Sequence, residues 1–140
     1  MFITVGLSQQ SNTINATIDP DKGAVKVNHI VTFTNHTNKA LNSLYLYDWN
    51  HAYSDNSTLL SKKLSEEFNF KFERSRSNEK GKTSIHQIIS YQKPLKWHRL
   101  KNQIDIIVVD LIEHLLPGSS QDILISYTLQ LPSSNFTGYG

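Results

Sequence analysis

From Ala24 to Thr34 the chain alternates. Val25, Val27, His29, Val31 and Phe33 fall on one side, and Lys26, Asn28, Thr32 and Thr34 on the other. Side chains of a strand point to opposite faces in turn, so a period of two over this length predicts a β-strand with one face buried. Thr13 to Ile18 repeats the pattern with Ile14, Ala16 and Ile18. Between the two runs lies the stretch Asp19 to Gly23, DPDKG. Pro20 presets one turn dihedral and Gly23 tolerates a positive φ, so the two runs are expected to form a hairpin. A turn over Asn35–Lys39 leads to a strand over Leu41–Tyr47. Further strands are predicted over Thr83–Tyr91, Gln103–Leu111 and Asp122–Leu131. Gln92–His98 reads as a turn and a short extended piece carrying Trp97, and Leu115–Gln121 as a Pro-Gly turn. Gln103–Leu111 is apolar and β-branched through its centre, which strengthens its reading as a strand.

One segment departs from this period. Leu60, Leu64 and Phe68 recur at the four-residue spacing of a helix, behind Asp55, Asn56 and Ser57 as candidate caps. A short helix over Leu59–Phe68 is expected on the sheet surface, with Lys62, Lys63, Glu66 and Glu67 turned to solvent and a polar loop over Arg74–Lys82. The sum is about seven short strands, Gly/Pro punctuation and one inserted helix. That predicts a mainly β chain, an antiparallel β-sandwich or curved sheet pair.

Length adds that 140 residues suit one domain, and a chain of this size buries roughly 70% of its unfolded surface. Charge removes a class of partner. The formal net charge is +2, and the most basic stretch, Lys71–Lys82, is interrupted by Glu73 and Glu79. A nucleic-acid binder concentrates its cations, because each phosphate contact needs one, so no nucleic-acid partner is expected. The absence of cysteine excludes disulfides, thiolate metal sites and Cys nucleophiles. No apolar run reaches the length of a membrane span. Phe2, Ile3, Val5 and Leu7, followed by small and polar residues, read either as the tail of an export signal or as a first strand. The first reading makes residues 1–11 a signal remnant and residues 12–140 one exported domain, periplasmic, cell-surface or secreted. Asn15, Asn35, Asn56 and Asn135 head N-x-S/T sequons, which matter only in a glycosylating cell.

Candidate chemistry concentrates in Leu44–Leu60, LYLYDWNHAYSDNSTLL. A zinc site wants three or four ligands, often two at helical spacing. The histidines His29, His36, His51, His86, His98 and His114 provide no such pair, and Asp48 with His51 makes at most half a site. Asp48 is therefore read as a turn cap and His51 as a surface residue. No G-x-S-x-G elbow and no Gly-rich phosphate loop occurs. Glu66 and Glu67 are adjacent, which on a helix points them to different targets. His29, on an apolar face, is read as a core residue satisfied locally. Tyr45, Tyr47 and Trp49 alternate onto one side of a strand whose other side carries Leu44 and Leu46. Two bulky faces imply cover on both, one by the helix and one by the second sheet, so these rings are expected in the core. Trp49, Asn50 and Tyr53 are then a structural corner that turns the chain from sheet to helix. No catalytic, cofactor-binding or metal-ligating residue is assigned.

The order of these motifs resembles a known family. Ala16 to Leu60 runs ATIDPDKGAVKVNHIVTFTNHTNKALNSLYLYDWNHAYSDNSTLL: an alternating strand, an Asp-Pro turn, a strand ending in T-x-x-N, and a strand running into W-N-x-A-Y at Trp49–Tyr53. Leu111 to Pro132, LIEHLLPGSSQDILISYTLQLP, adds a loop, a Pro-Gly turn and a long strand, and Asn135–Gly140 an onward link. This series resembles the N-terminal domain of bacterial zinc metallopeptidases of the aminopeptidase N family. The resemblance implies a saddle-shaped β-domain that docks on a thermolysin-like catalytic domain. That catalytic domain carries the H-E-x-x-H zinc helix, a distal Glu ligand and a G-x-M-E-N strand, none of which occurs here. No zinc or catalytic residue carries over, and zinc belongs to the parent only. On this reading the chain is the front fragment of an exported peptidase. Its partners are the catalytic domain of the same polypeptide and the parent's peptide substrates. Two rival readings stay open. One is a stand-alone extracellular β-sandwich module binding carbohydrate or protein, for which Trp49 or Trp97 should be exposed. The other is an adhesion-type domain of a larger surface protein.

Overall fold

The structure, a computed structural model, describes residues 11–137. The segment read as a signal remnant or first strand lies outside them, apart from Ser11. The elements are β1 (Ser11–Asp19), β2 (Ala24–Thr34), β3 (Leu41–Tyr47), α1 (Leu59–Glu66), β4 (Lys82–Ser90), β5 (Lys93–Pro94), β6 (Trp97–Leu100), β7 (Gln103–Leu115), β8 (Ser120–Gln130) and α2 (Ser134–Thr137). They form two antiparallel sheets, one of five strands in the order β1-β2-β8-β4-β5 and one of three in the order β3-β7-β6. The chain is mainly β and sandwich-like with a short inserted helix, as the alternating pattern predicts.

Register explains how the sheets find each other. Ile18 lies opposite Val25 and Ile14 opposite His29, while His29 lies opposite Ile125 and Val31 opposite Ile123. Directly opposed residues share a face, so the apolar sets of β1, β2 and β8 fall on one side. In the smaller sheet Leu44 meets Val109 and Leu46 meets Ile107. These inner faces close on a core of Leu44, Ile88, Leu95, Ile107, Val109, Ile123 and Ile125. Three strands do not cover five. Ile14 and Ile18 sit on the inner face of β1 yet are 57% and 69% exposed.

The turns follow their chemistry. Asp19 caps a 3-10 turn over Pro20–Lys22, and Gly23 takes φ 58°. At the opposite end of β2, Asn35 is fully buried. Its Nδ2 donates to the carbonyls of Lys39 (2.8 Å) and Leu115 (2.7 Å), and its Oδ1 accepts from the Thr37 N–H (2.9 Å) and hydroxyl (2.7 Å). This amide ties the β2–β3 turn to the end of β7. It also accounts for β7 running to Leu115 rather than stopping at Leu111, since Leu115 pairs with Leu41 and is anchored by Asn35.

The helix differs from expectation at both ends. Thr58 is its cap, accepting from the Ser61 N–H at 3.2 Å, while Asp55 holds the preceding turn through Ser57. At the other end Phe68 has φ 62° and stands outside the helix. The Phe68 N–H donates to Ser65 and the Asn69 N–H to Leu64, the paired bonds of a Schellman cap, whose left-handed position favours glycine. Phe68 is 84% exposed, so its ring recovers little of the cost. Phe68→Gly is expected to stabilise the domain by about 0.5–1 kcal/mol, read as a higher urea midpoint at unchanged slope.

Candidate functional site

The segment that held the candidate chemistry folds as a 3-10 turn over Trp49–Tyr53, following β3. Asp48 caps it, with Oδ1 accepting from the His51 N–H at 3.2 Å. The same oxygen accepts from the Thr83 hydroxyl on β4 at 2.7 Å, and Oδ2 takes the Arg99 guanidinium from β6 at 2.7 Å. Arg99 continues to the Ile104 carbonyl at 2.7 Å. Asn50 Nδ2 reaches the Thr83 hydroxyl (3.3 Å) and the Gln130 carbonyl on β8 (3.2 Å). One turn thus pins the end of the smaller sheet to β4 and β8 of the larger. Only 8% of the Asp48 side chain and 17% of the Arg99 side chain are exposed, so this ion pair is largely withdrawn from water.

His51 is not a surface residue. It is half-buried, and its Nδ1 accepts from the Thr83 N–H at 3.3 Å. Burial, and after it the Arg99 guanidinium, lowers its pKa below the ordinary 6.5. His29 is lowered likewise, by burial. Below pH 6.5 the unfolded chain takes up protons that the folded chain refuses, and stability falls with pH until the lowered folded-state values are passed. Urea midpoints should therefore drop as pH falls through 6.5, and His51→Gln should flatten part of that slope.

Gly81 keeps the corner closed. A Cβ there would meet the Asn50 carbonyl oxygen at 2.7 Å and Tyr53 and Pro132 at 3.1 Å, and the Gly81 N–H donates to the Tyr53 carbonyl at 3.0 Å. A backbone oxygen cannot step aside without moving the turn. Gly81→Ala is expected to cost about 1–3 kcal/mol and to weaken the seating of Asn50. The check is the urea midpoint together with the side-chain amide resonances of Asn50.

The three residues assigned to the corner do different work. Asn50 is a cross-link between sheets. Tyr53 is 8% exposed and packs edge-on against Phe72, which meets Phe136 in the same way at 5.3 Å. Trp49 lies on the surface at 56% exposed, with Tyr45 at 66% and Tyr47 at 59%. The expectation that these rings are core is thus corrected. Helix α1 packs against the 3-10 turn rather than over β3, so nothing among the described residues covers that side. Trp49 stacks on Tyr47 (5.9 Å, 27°) and receives Tyr53 edge-on (6.0 Å, 83°). An aromatic ladder therefore runs from the open face into the small core beneath the corner.

Beside this ladder, between the inner face of β2 and the free edge of β3, lies a cleft of about 530 Å³. Val31, Phe33, Leu46, Ile107 and Ile125 form its apolar wall, and Asn12, His29, Tyr127 and Asp48 its polar groups. His29, read as a core residue satisfied locally, instead lines the cleft half-buried; its Nε2 pairs with the Asn12 amide oxygen at 2.9 Å and the ring meets Tyr127 at 6.5 Å in a T-shaped contact. The Tyr127 pKa is raised from 10.0 by burial and by Asp48, and that of Tyr47, although its ring is exposed, by partial desolvation of its hydroxyl and then by the hydrogen bonding and charge of the neighbouring Asp105 carboxylate.

Sequence reasoning missed Arg99, Thr83 and Asp105. Arg99 follows Trp97 by two positions on a short strand, which places it on the inner face, and a charge in that phase was its only signal. Asp105 stands within an apolar run, is 4% exposed, and its Oδ1 has no hydrogen-bond partner among the described residues. Those residues contain no group of three or more His, Cys, Asp or Glu able to hold a metal ion, and no helix long and apolar enough to cross a membrane. No protein-family model matches the chain, and no curated protein is significantly similar to it.

Proposed function

We propose that the chain is a non-catalytic β-domain, the N-terminal support of an exported zinc aminopeptidase-like protein. There it would carry the catalytic domain and help wall the substrate cleft, while the parent hydrolyses N-terminal peptide bonds through zinc-activated water. One observation carries this reading beside the motif order. The two passages that resemble the family, Ala16–Leu60 and Leu111–Pro132, are neighbours in space. β2 pairs with β8 along its length, β3 pairs with β7, and Asn50 of one passage bonds Gln130 of the other. The resemblance therefore falls on one cross-linked unit. Its polar corner residues are taken up in holding sheets together, which fits a supporting role. The purified chain should bind no zinc stoichiometrically and release no product from aminoacyl substrates. Tight one-to-one zinc binding, measured by calorimetry, would contradict the proposal.

The stand-alone binding module gains one specific observation, the exposed Trp49. Its ring and that of Tyr47 cover each other's faces, which leaves less flat surface for a sugar. The module reading predicts that a glycan or protein ligand protects Trp49 from acrylamide quenching in the isolated chain. The support reading predicts that Trp49 stays quenchable until a catalytic domain is present.

A further inference from the structure

We propose that the cleft between β2 and β3 is a binding site for a neutral, largely apolar small molecule bearing one hydrogen-bonding group. Its volume of about 530 Å³ falls in the range of ligand pockets, and its lining has their composition, an apolar wall with a few polar groups converging on it. The fold produces the opening directly. The smaller sheet ends at β3, so β2 and β1 extend beyond it and the gap is filled by no side chain of the described residues.

Charge narrows the ligand class. Asp48 is the one carboxylate among the described lining residues, and it is already occupied by Arg99, Thr83 and the His51 N–H. Among the described residues no lysine or arginine lines the cleft. An ionic ligand would lose its hydration without gaining a counter-charge, at a cost of several kcal/mol. A neutral ligand avoids that loss and finds two polar groups. The neutral His29 ring that donates from Nε2 to the Asn12 oxygen keeps Nδ1 as an acceptor. The Tyr127 hydroxyl pairs with no described residue and can donate or accept. The exposed rings of Tyr45 and Tyr47 at the mouth add apolar surface for the ligand to cover. This site is separate from the docking role proposed above, and neither depends on the other.

A matched pair of fluorescent probes tests the inference on the full chain. N-phenyl-1-naphthylamine is neutral with one N–H, and 1-anilinonaphthalene-8-sulfonate is the same ring system with an added sulfonate. The neutral probe should bind saturably, one per chain, with the sulfonate about tenfold weaker or more. Val31→Trp, which places an indole in the cleft, should weaken the neutral probe at least as much. Ile85→Trp, also lining the cleft, takes its place if Val31→Trp loses its cooperative melting transition. Absence of saturable binding, equal affinity for the sulfonate, or undiminished binding by a folded Trp variant would each overturn the proposal.

Discussion

Arg99→Ala is expected to cost the domain about 3–5 kcal/mol, the usual loss when one partner of a buried ion pair is removed. The cost comes less from the lost attraction than from what remains. Asp48 would stay buried with the Thr83 hydroxyl and the His51 N–H but without its cation, and the Ile104 carbonyl would lose its donor as well. Since the carboxylate also caps the 3-10 turn, its loss of seating should spread to Asn50 and to the Asn50–Gln130 cross-link. Urea denaturation reads the loss directly. The double change Asp48→Leu with Arg99→Met should recover only part of it: it removes both buried charges, but the Ile104 carbonyl still lacks its donor and the Thr83 hydroxyl and His51 N–H lose the carboxylate that accepted from them. If Arg99→Ala leaves the midpoint unchanged, the corner is not what joins the sheets.

Asn35→Ala should be nearly as damaging, at about 2–4 kcal/mol, because each buried group left unsatisfied costs about 1–3 kcal/mol. Both amide donors and the amide oxygen are used; the Leu115 and Lys39 carbonyls would both lose the amide, with Lys39 keeping only the Thr37 hydroxyl at 2.9 Å. Asn35→Asp should not rescue the site. It would set a carboxylate oxygen against two carbonyl oxygens where a donor is required. The same geometry closes one sequon. Asn35 is 0% exposed, so the folded chain offers no acceptor nitrogen there, whereas Asn15 lies exposed on β1. Urea midpoints of the two variants, with glycan mapping after expression in a glycosylating host, check both statements.

The strands were legible because their period of two is written in single residues. Val25 to Phe33 and Ile123 to Leu129 each hold one apolar face, and the structure pairs them in that phase. Gly23 and the Asp-Pro turn were legible for the same local reason. The small helix was legible in its stripe but not at its ends. Thr58 outcompeted three nearby caps, and Phe68 took a left-handed position that no propensity assigns to phenylalanine. The exposure of Tyr45, Tyr47 and Trp49 was not legible. Alternation says that three rings share a face, but only the number of strands in the second sheet and the position of α1 decide whether anything covers it. The corner was half legible. Asp48 as a cap is local chemistry, whereas its bonds to Thr83 and Arg99 join residues far apart in sequence, and nothing in the residues between them records that meeting.

The size of the native gene product tests the central claim most directly. An antibody raised against this domain should detect, in an immunoblot of source cells, a band several-fold larger than the 16.0 kDa of this chain, and the reading frame beyond Gly140 should encode H-E-x-x-H. A single band at 16.0 kDa would contradict the support-domain account and leave the stand-alone binding module in its place.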